Sequence, residues 1–204
     1  STGFAVGNQL QRDLLQGAFS LDYPLFDGDR VGALALNGNL EVTDYSDFGT
    51  LTTIGAGASW RGSGGLRITS SWTREEDAPS QEQLGEPLAE APNRRLFDFE
   101  TGSSVNARVL SGGNPALRAE AREVLSLTLR FEPEAIEGLA LNVNAIDSTT
   151  DTPIQSFPSP SPETQGAFPD RFFRDATGRL LEFDARPVNL DSATRREVRW
   201  GLDY

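Results

Sequence analysis

The sequence contains no cysteine, histidine or methionine, and its 18 basic residues are all arginine, so lysine is missing too. Without thiols and imidazoles there are no Cys or His metal sites, no disulfides, and none of the Cys- or His-based nucleophile systems. Asp and Glu remain as candidate acid–base pairs, but turn-forming acids account for them. The chain therefore reads as a non-enzyme with no metal site and no cofactor. Acidic residues number 30 and the net charge is -12, which excludes nucleic acid as a partner, because phosphates demand a basic face. The Asp-rich stretches at 27–29 and 43–47 lack the spaced ligand series of a calcium loop and read as turns. Apolar residues are scarce as well, 37% of 204. No run approaches the roughly 20 residues of a membrane-spanning helix, and no charged start with an oily segment marks a signal peptide. The first residue is Ser, as in a processed chain or an excised piece.

What remains is alternation with a period of two. From Glu120 the odd positions read Ala121, Glu123, Leu125, Leu127, Leu129 and Phe131, and the even ones Arg122, Val124, Ser126, Thr128, Arg130 and Glu132. One face of such a strand is oily and the other polar. After "PEAIEG" the pattern resumes with Leu139, Leu141, Val143 and Ala145 on the oily side, so a tight turn joins two antiparallel strands. The same grammar surrounds "LFDGDRV" and "WRGSGGLR". Eight strands are predicted, over 13–25, 31–43, 50–61, 66–75, 120–132, 138–148, 179–189 and 195–204. Tight turns gather at one end. At the other, 76–119 and 148–178 are long, polar connections studded with Pro and Gly.

Strand length separates this pattern from a soluble sandwich, whose strands average about five or six residues. At about 3.3 Å per residue and a tilt near 45°, about eleven residues rise about 25 Å, the height of an apolar membrane band. Lipid then covers the oily face, and the polar face looks into a lumen. Tyr23, Tyr45, Phe48, Trp60, Trp72, Phe131, Trp200 and Tyr204 sit near strand ends, where interfacial aromatic girdles belong. The expected fold is all-β: an antiparallel up-and-down transmembrane β-barrel segment of about eight strands, spanning 1–204. Leu125, Leu127, Leu129 and Leu141 are expected to face lipid.

"GGNPALRAEAREVLSLTLRFEPEAIEGLALNVNAIDSTTDTPI" resembles the barrel signature of TonB-dependent outer-membrane receptors, a G-N-P-x-L-x-P-E step followed by a descending strand, a short turn and a rising strand. "DYSDFGTLTTIGAGASWRGSGGLRITSSWTREEDAPSQEQL" is similar to the preceding hairpin and the R-A-P-S-x-x-E-L stretch of that family. Departures are Asp77 before Ala78-Pro79, Ala119 before Glu120, and Asn144-Ala145 in place of an aromatic pair. The resemblance implies active uptake of a scarce nutrient, such as a ferric siderophore, corrinoid or oligosaccharide, across the bacterial outer membrane. It also implies lipid and lipopolysaccharide around the wall, and the TonB energy-transducing complex as partner through an N-terminal region missing here. Family barrels have 22 strands around an N-terminal plug. Eight strands without a plug are then an internal segment, which alone transports nothing.

Within that resemblance, "GGNPALRAE" is the descent from an external loop into a strand. Gly112 and Gly113 relax the backbone, and Pro115 fixes its own φ while pushing Asn114 out of the helical region. Ligand contacts are expected from the external loops. In "FPSPSPETQGAFPDRFFRDATG", Phe157, Phe168, Phe172 and Phe173 accompany Arg171 and Arg174, a pairing suited to an aromatic or an anionic chelate. The other loop offers Arg94, Arg95 and Arg108. Two other readings stay open: a complete eight-stranded barrel serving as structural anchor or adhesin, and a soluble carbohydrate-binding β protein.

Overall fold

Alternating stretches of this length form strands because period two matches the pleat and sends every second side chain to one face. The fold is seen in a computed structural model, which describes residues 11–28 and 31–204. The chain begins with four strands, β1 (Leu14–Gly28), β2 (Gly32–Tyr45), β3 (Gly49–Arg61) and β4 (Leu66–Asp77). A first excursion carries α1 (Gln81–Gly85), β5 (Ala89–Asp98) and β6 (Ser103–Ser111). Then follow β7 (Glu120–Phe131) and β8 (Ala140–Asp151). A second excursion carries β9 (Ile154–Gln155), α2 (Pro162–Ala167), β10 (Phe172–Arg174), β11 (Leu180–Asp184) and β12 (Val188–Asn189), and β13 (Ser192–Asp203) returns to the main sheet. No helix among the described residues is long and apolar enough to cross a membrane.

The expected all-β, up-and-down antiparallel fold is present. Seven strands of 12 to 15 residues form one sheet in the order β1-β2-β3-β4-β7-β8-β13. The eighth expected strand, 179–189, is not among them. It divides into β11 and β12, which belong to two smaller sheets. Leu180 is fully buried and Phe183 nearly so, in a core separate from the large sheet, and Pro187, having no N–H, interrupts pairing before β12. Asp29 and Arg30, between β1 and β2 in the sequence, lie outside the described residues.

The chain forms two compact units, one of 12–78, 119–153 and 191–204, the other containing 79–118 and 154–190. In the first unit, register partners share a face, so side chains can be followed across the sheet. One such row is Tyr23, Leu36, Ala58, Ser70, Leu127, Ala145 and Val198. Another is Leu34, Trp60, Ile68, Leu129, Val143 and Trp200. Leu125 and Leu141 lie on this same apolar face, which nothing described in the chain covers: Leu15 is 77% exposed, Val198 69% and Trp200 76%. The opposite face is polar, with a row of Asn37, Gly57, Ser71, Ser126, Ile146 and Glu197. There Ser71 Oγ meets Ser126 Oγ at 2.7 Å, and Asn144 Nδ2 donates to Thr128 Oγ1 at 2.9 Å. Gly65 has φ +86 at the β3–β4 turn, and a Cβ there would run into the Glu132 carbonyl.

The second unit has its own core. β10, β11, β6 and β5 form a four-stranded sheet in that order, β11 and β6 running parallel, and β12 pairs with β9. Behind one face of the larger sheet lie Ala107, Phe157, Phe172, Leu180 and Phe183. Phe172 stacks on Phe183 at 4.9 Å, while Phe157 meets Phe183 and Phe168 edge-on at 5.5 and 5.2 Å. Both helices start on capping boxes, Ser80 with Gln83 and Ser161 with Thr164. "GGNPALRAE" joins the two excursions. Asn114 N donates to Gln83 O at 2.7 Å and its Nδ2 to Pro187 O at 2.8 Å, while Arg118 N donates to Asn189 Oδ1 at 2.9 Å. Gly113 leaves no space for a Cβ beside the backbone at Leu84–Gly85.

Candidate functional site

The four-stranded sheet sorts the expected ligand residues into two groups. Its core face takes Phe172, with Phe168 packed against the same cluster, so both rings serve packing. Two of the arginines are held by acids. Arg174 donates to Asp98 through both terminal nitrogens, each at 2.8 Å, to the Gly178 carbonyl at 2.9 Å, and pairs with Glu100 at 2.9 Å. Asp98 is fully buried and also accepts from Thr101 Oγ1 at 2.8 Å and Glu100 N at 3.2 Å. The Arg174 hydrogen bonds, outweighing burial, hold its carboxyl far below the usual carboxylate range. Arg171 pairs with Asp184 at 2.9 Å and lies over the Phe157 ring at 5.8 Å. Burial pushes the Asp184 carboxyl up, but hydrogen bonds from Arg186 and the charges of Arg171 and Arg186 together bring it below its ordinary value.

The other face of the sheet is exposed. Phe173, Glu182 and Arg108 form one register row across β10, β11 and β6, with Arg95 opposite Asn106 and Phe97 opposite Ser104 on β5 and β6. Arg108 is occupied by Glu182, its Nε at 2.6 Å, and by Glu90 at 3.4 Å. Arg94 and Arg95 lie exposed on the edge strand β5. The parallel pairing of β11 with β6 covers only Arg108 to Leu110, so Ser104 and Asn106 lack a strand neighbour on that side. A recess of about 470 Å³ opens there, lined by Arg95, Ser104, Val105, Asn106 and Arg179.

Arg95 and Arg179 make no ion pair with a described acid. Of the acids near them in sequence, Asp98 pairs with Arg174 and Glu182 with Arg108, and Asp175 is committed to its turn, accepting from Thr177 Oγ1 at 2.6 Å, Thr177 N at 2.8 Å and Arg179 N at 3.1 Å. Two guanidiniums, a carboxamide and a hydroxyl give the recess many donors and no carboxylate, a set suited to an anion with several acceptor oxygens. The alternation pattern does not mark Arg179, because it places 179–189 in a strand of the main sheet. Its signal was the turn "DATGR", which places it at a strand start. Among the described residues no group of three acidic side chains is placed to hold a metal ion.

No protein-family model matches the sequence, and no curated protein matches it. Solved structures do match in fold. The siderophore receptor PirA from Pseudomonas aeruginosa aligns at a TM-score of 0.61 and 17% identity, over 93% of this chain and 31% of that one. PirA from Acinetobacter baumannii aligns at 0.61 and 14%, over 92% and 25%. A mutant of the P. aeruginosa ferric enterobactin receptor PfeA, in complex with enterobactin, aligns at 0.57 and 16%, over 91% and 24%. The chain thus has the antiparallel fold of these β-barrel receptors and spans a quarter to a third of their length.

Proposed function

We propose that 1–204 is a stretch of barrel wall, with two external loop excursions, from a TonB-dependent receptor of the bacterial outer membrane that takes up a ferric siderophore. The observation that carries this reading is the large sheet's uncovered apolar face set against a polar one, in a chain whose fold matches siderophore receptors. In this reading lipid and lipopolysaccharide surround the apolar face. The TonB complex engages a part of the polypeptide beyond these residues. The ligand meets the recess of Arg95 and Arg179, with Arg94, Arg108 and Phe173 around it and Phe168, Phe172, Arg171 and Arg174 holding the platform beneath. A corrinoid or a neutral oligosaccharide fits two guanidiniums that form no ion pair with a described acid less well than an anionic chelate does. A complete eight-stranded anchor or adhesin has less support, since the sheet has seven strands and, among the described residues, β1 and β13 each pair on one side only.

Binding of ferric catecholate and ferric hydroxamate chelates to the purified full-length receptor that contains these residues, followed by quenching of its tryptophan fluorescence, tests this. Arg95→Ala and Arg179→Ala are each expected to weaken an anionic chelate by about tenfold or more, the worth of a charge-assisted contact. Unchanged affinity in the double variant would remove the recess from the reading.

A further inference from the structure

Near its tight turns, the polar face of the large sheet concentrates positive charge. One register row there reads Asp27, Ala33, Arg61, Arg67, Arg130, Asn142 and Gly201 across the seven strands. Three arginines thus stand directly opposite one another on β3, β4 and β7, where Cβ atoms lie about 5 Å apart and like charges repel. Arg130 is paired with Glu132, and Arg199, one row further in, with Glu197. Arg61 and Arg67 make no ion pair with a described acid. A guanidinium does not shed its proton in a protein, so this charge persists at every working pH.

Beside Arg61 and Arg67 the surface is hollow. A recess of about 410 Å³ opens over the small side chains of Ala33, Ala35 and Ser59, with the two arginines on its β3–β4 side and Asp27 on its β1 side. Asp27 lies two strands from Arg61 and forms no ion pair with it. The recess therefore holds two guanidiniums against one carboxylate.

We infer that this recess is an anion site on the lumen side of the wall, taking an anion with several acceptor oxygens: the ferric chelate that the receptor carries, or a free phosphate compound. The inference rests on the reading of the sheet as barrel wall with its polar face inward. Neighbouring guanidiniums repel, an anion between them relieves that repulsion, and each presents a planar fork of donors that matches carboxylate or phosphate oxygens. The Ser59 hydroxyl adds a donor at the floor. Low-dielectric walls around a water-filled lumen focus the field of the two charges and raise the local concentration of anions. Set among wall strands next to the tight turns, the site acts on a ligand already within the lumen, a step separate from capture by the excursions.

The test is the charge preference of a cysteine placed in the recess. Ser59→Cys is made in the full-length receptor that contains these residues, any other cysteine being removed, and the protein is purified in detergent. The negatively charged reagent sulfonatoethyl methanethiosulfonate should react about tenfold or more faster than its positively charged trimethylammonium analogue, each rate taken relative to a free thiol. Arg61→Gln with Arg67→Gln in that background should bring the two rates together, and Asp27→Asn should widen the gap. Removing like charges relieves repulsion, so the Gln variant should fold, and Arg61→Lys with Arg67→Lys, which keeps the charge, should keep the preference. A ferric catecholate chelate or inorganic pyrophosphate is then added before labelling. Slower labelling with the chelate assigns the site to the carried ligand, slower labelling with pyrophosphate alone assigns it to a free anion, and protection by neither would overturn the site. Equal rates for the two reagents, or faster reaction of the cationic one, would overturn the site and leave the wall reading standing. A cysteine closed to every reagent until the protein is unfolded would show the recess filled by the rest of the polypeptide, and would overturn the site too. Reaction with an apolar maleimide alone, as on a detergent-covered face, would overturn both site and wall.

Discussion

Asp98 and Arg174 show how one contact fixes a platform rather than a ligand. A carboxylate with no exposure survives because four donors saturate it, two of them from one guanidinium. Asp98→Asn or Arg174→Ala leaves a buried group without its partner and is expected to cost the excursion unit about 3 to 5 kcal/mol, read as a lower urea midpoint or faster proteolysis. The pH sign follows from the depressed carboxyl. Its stabilisation is fully present above the unfolded value, about 4, and is lost as pH falls through the lower folded value, so the excursions should loosen in acid. Asp98→Asn should flatten that acid limb. Phe172→Ala should likewise destabilise, by about 3 to 5 kcal/mol through the cavity it leaves. Arg95→Ala, on an exposed edge strand, should change stability by less than about 0.5 kcal/mol while weakening chelate binding. Comparing melting and binding for these variants separates platform from contact.

At the scale of the element, long strands announce themselves and short ones do not. Leu125, Leu127 and Leu129 alternate with Ser126 and Thr128 because each strand of the large sheet keeps one environment per face over most of its length, so periodicity alone places six of its seven strands closely and starts the last, β13, a few residues late. β10 has three residues and β11 five, too few for a period to emerge, and their burial is decided by partners far along the chain. Arg108 and Glu182, paired in β6 and β11, are 74 residues apart. That is why the sequence pattern offers Phe172 beside an external arginine while the fold buries its ring in the core, and why no period marks Arg179. The faces of the large sheet give a sharp contrast. Leu127→Arg should cost about 2 to 4 kcal/mol in bilayer-embedded protein, whereas Thr128→Arg, on the polar face, should be tolerated. Heat-modifiable mobility on gels reads the difference. Gly65→Ala should destabilise by about 1 to 3 kcal/mol, since its φ and the Glu132 carbonyl both exclude a Cβ.

At the scale of the whole molecule, β1 and β13 each pair on one side only among the described residues, and backbone groups on the other side could not be satisfied by hydrocarbon. On the proposed reading the 204 residues alone, refolded in detergent, should aggregate and form no pore in dye-loaded liposomes, and should become monodisperse when neighbouring wall strands are supplied. A monodisperse, heat-modifiable species from this chain alone would favour the small-anchor reading instead. The parallel pairing of β6 with β11 has a consequence in time. During synthesis β6 emerges first and waits without its partner while β7 and β8 are made, and Asp98 waits as long for Arg174, 76 residues later. Arg95 and Arg179 come from opposite sides of that interval, so neither excursion can assemble the recess by itself. On the proposed reading, competence to bind would be acquired late, after β7 and β8 have been made between its halves, and ligand capture by a truncated chain would report its completion.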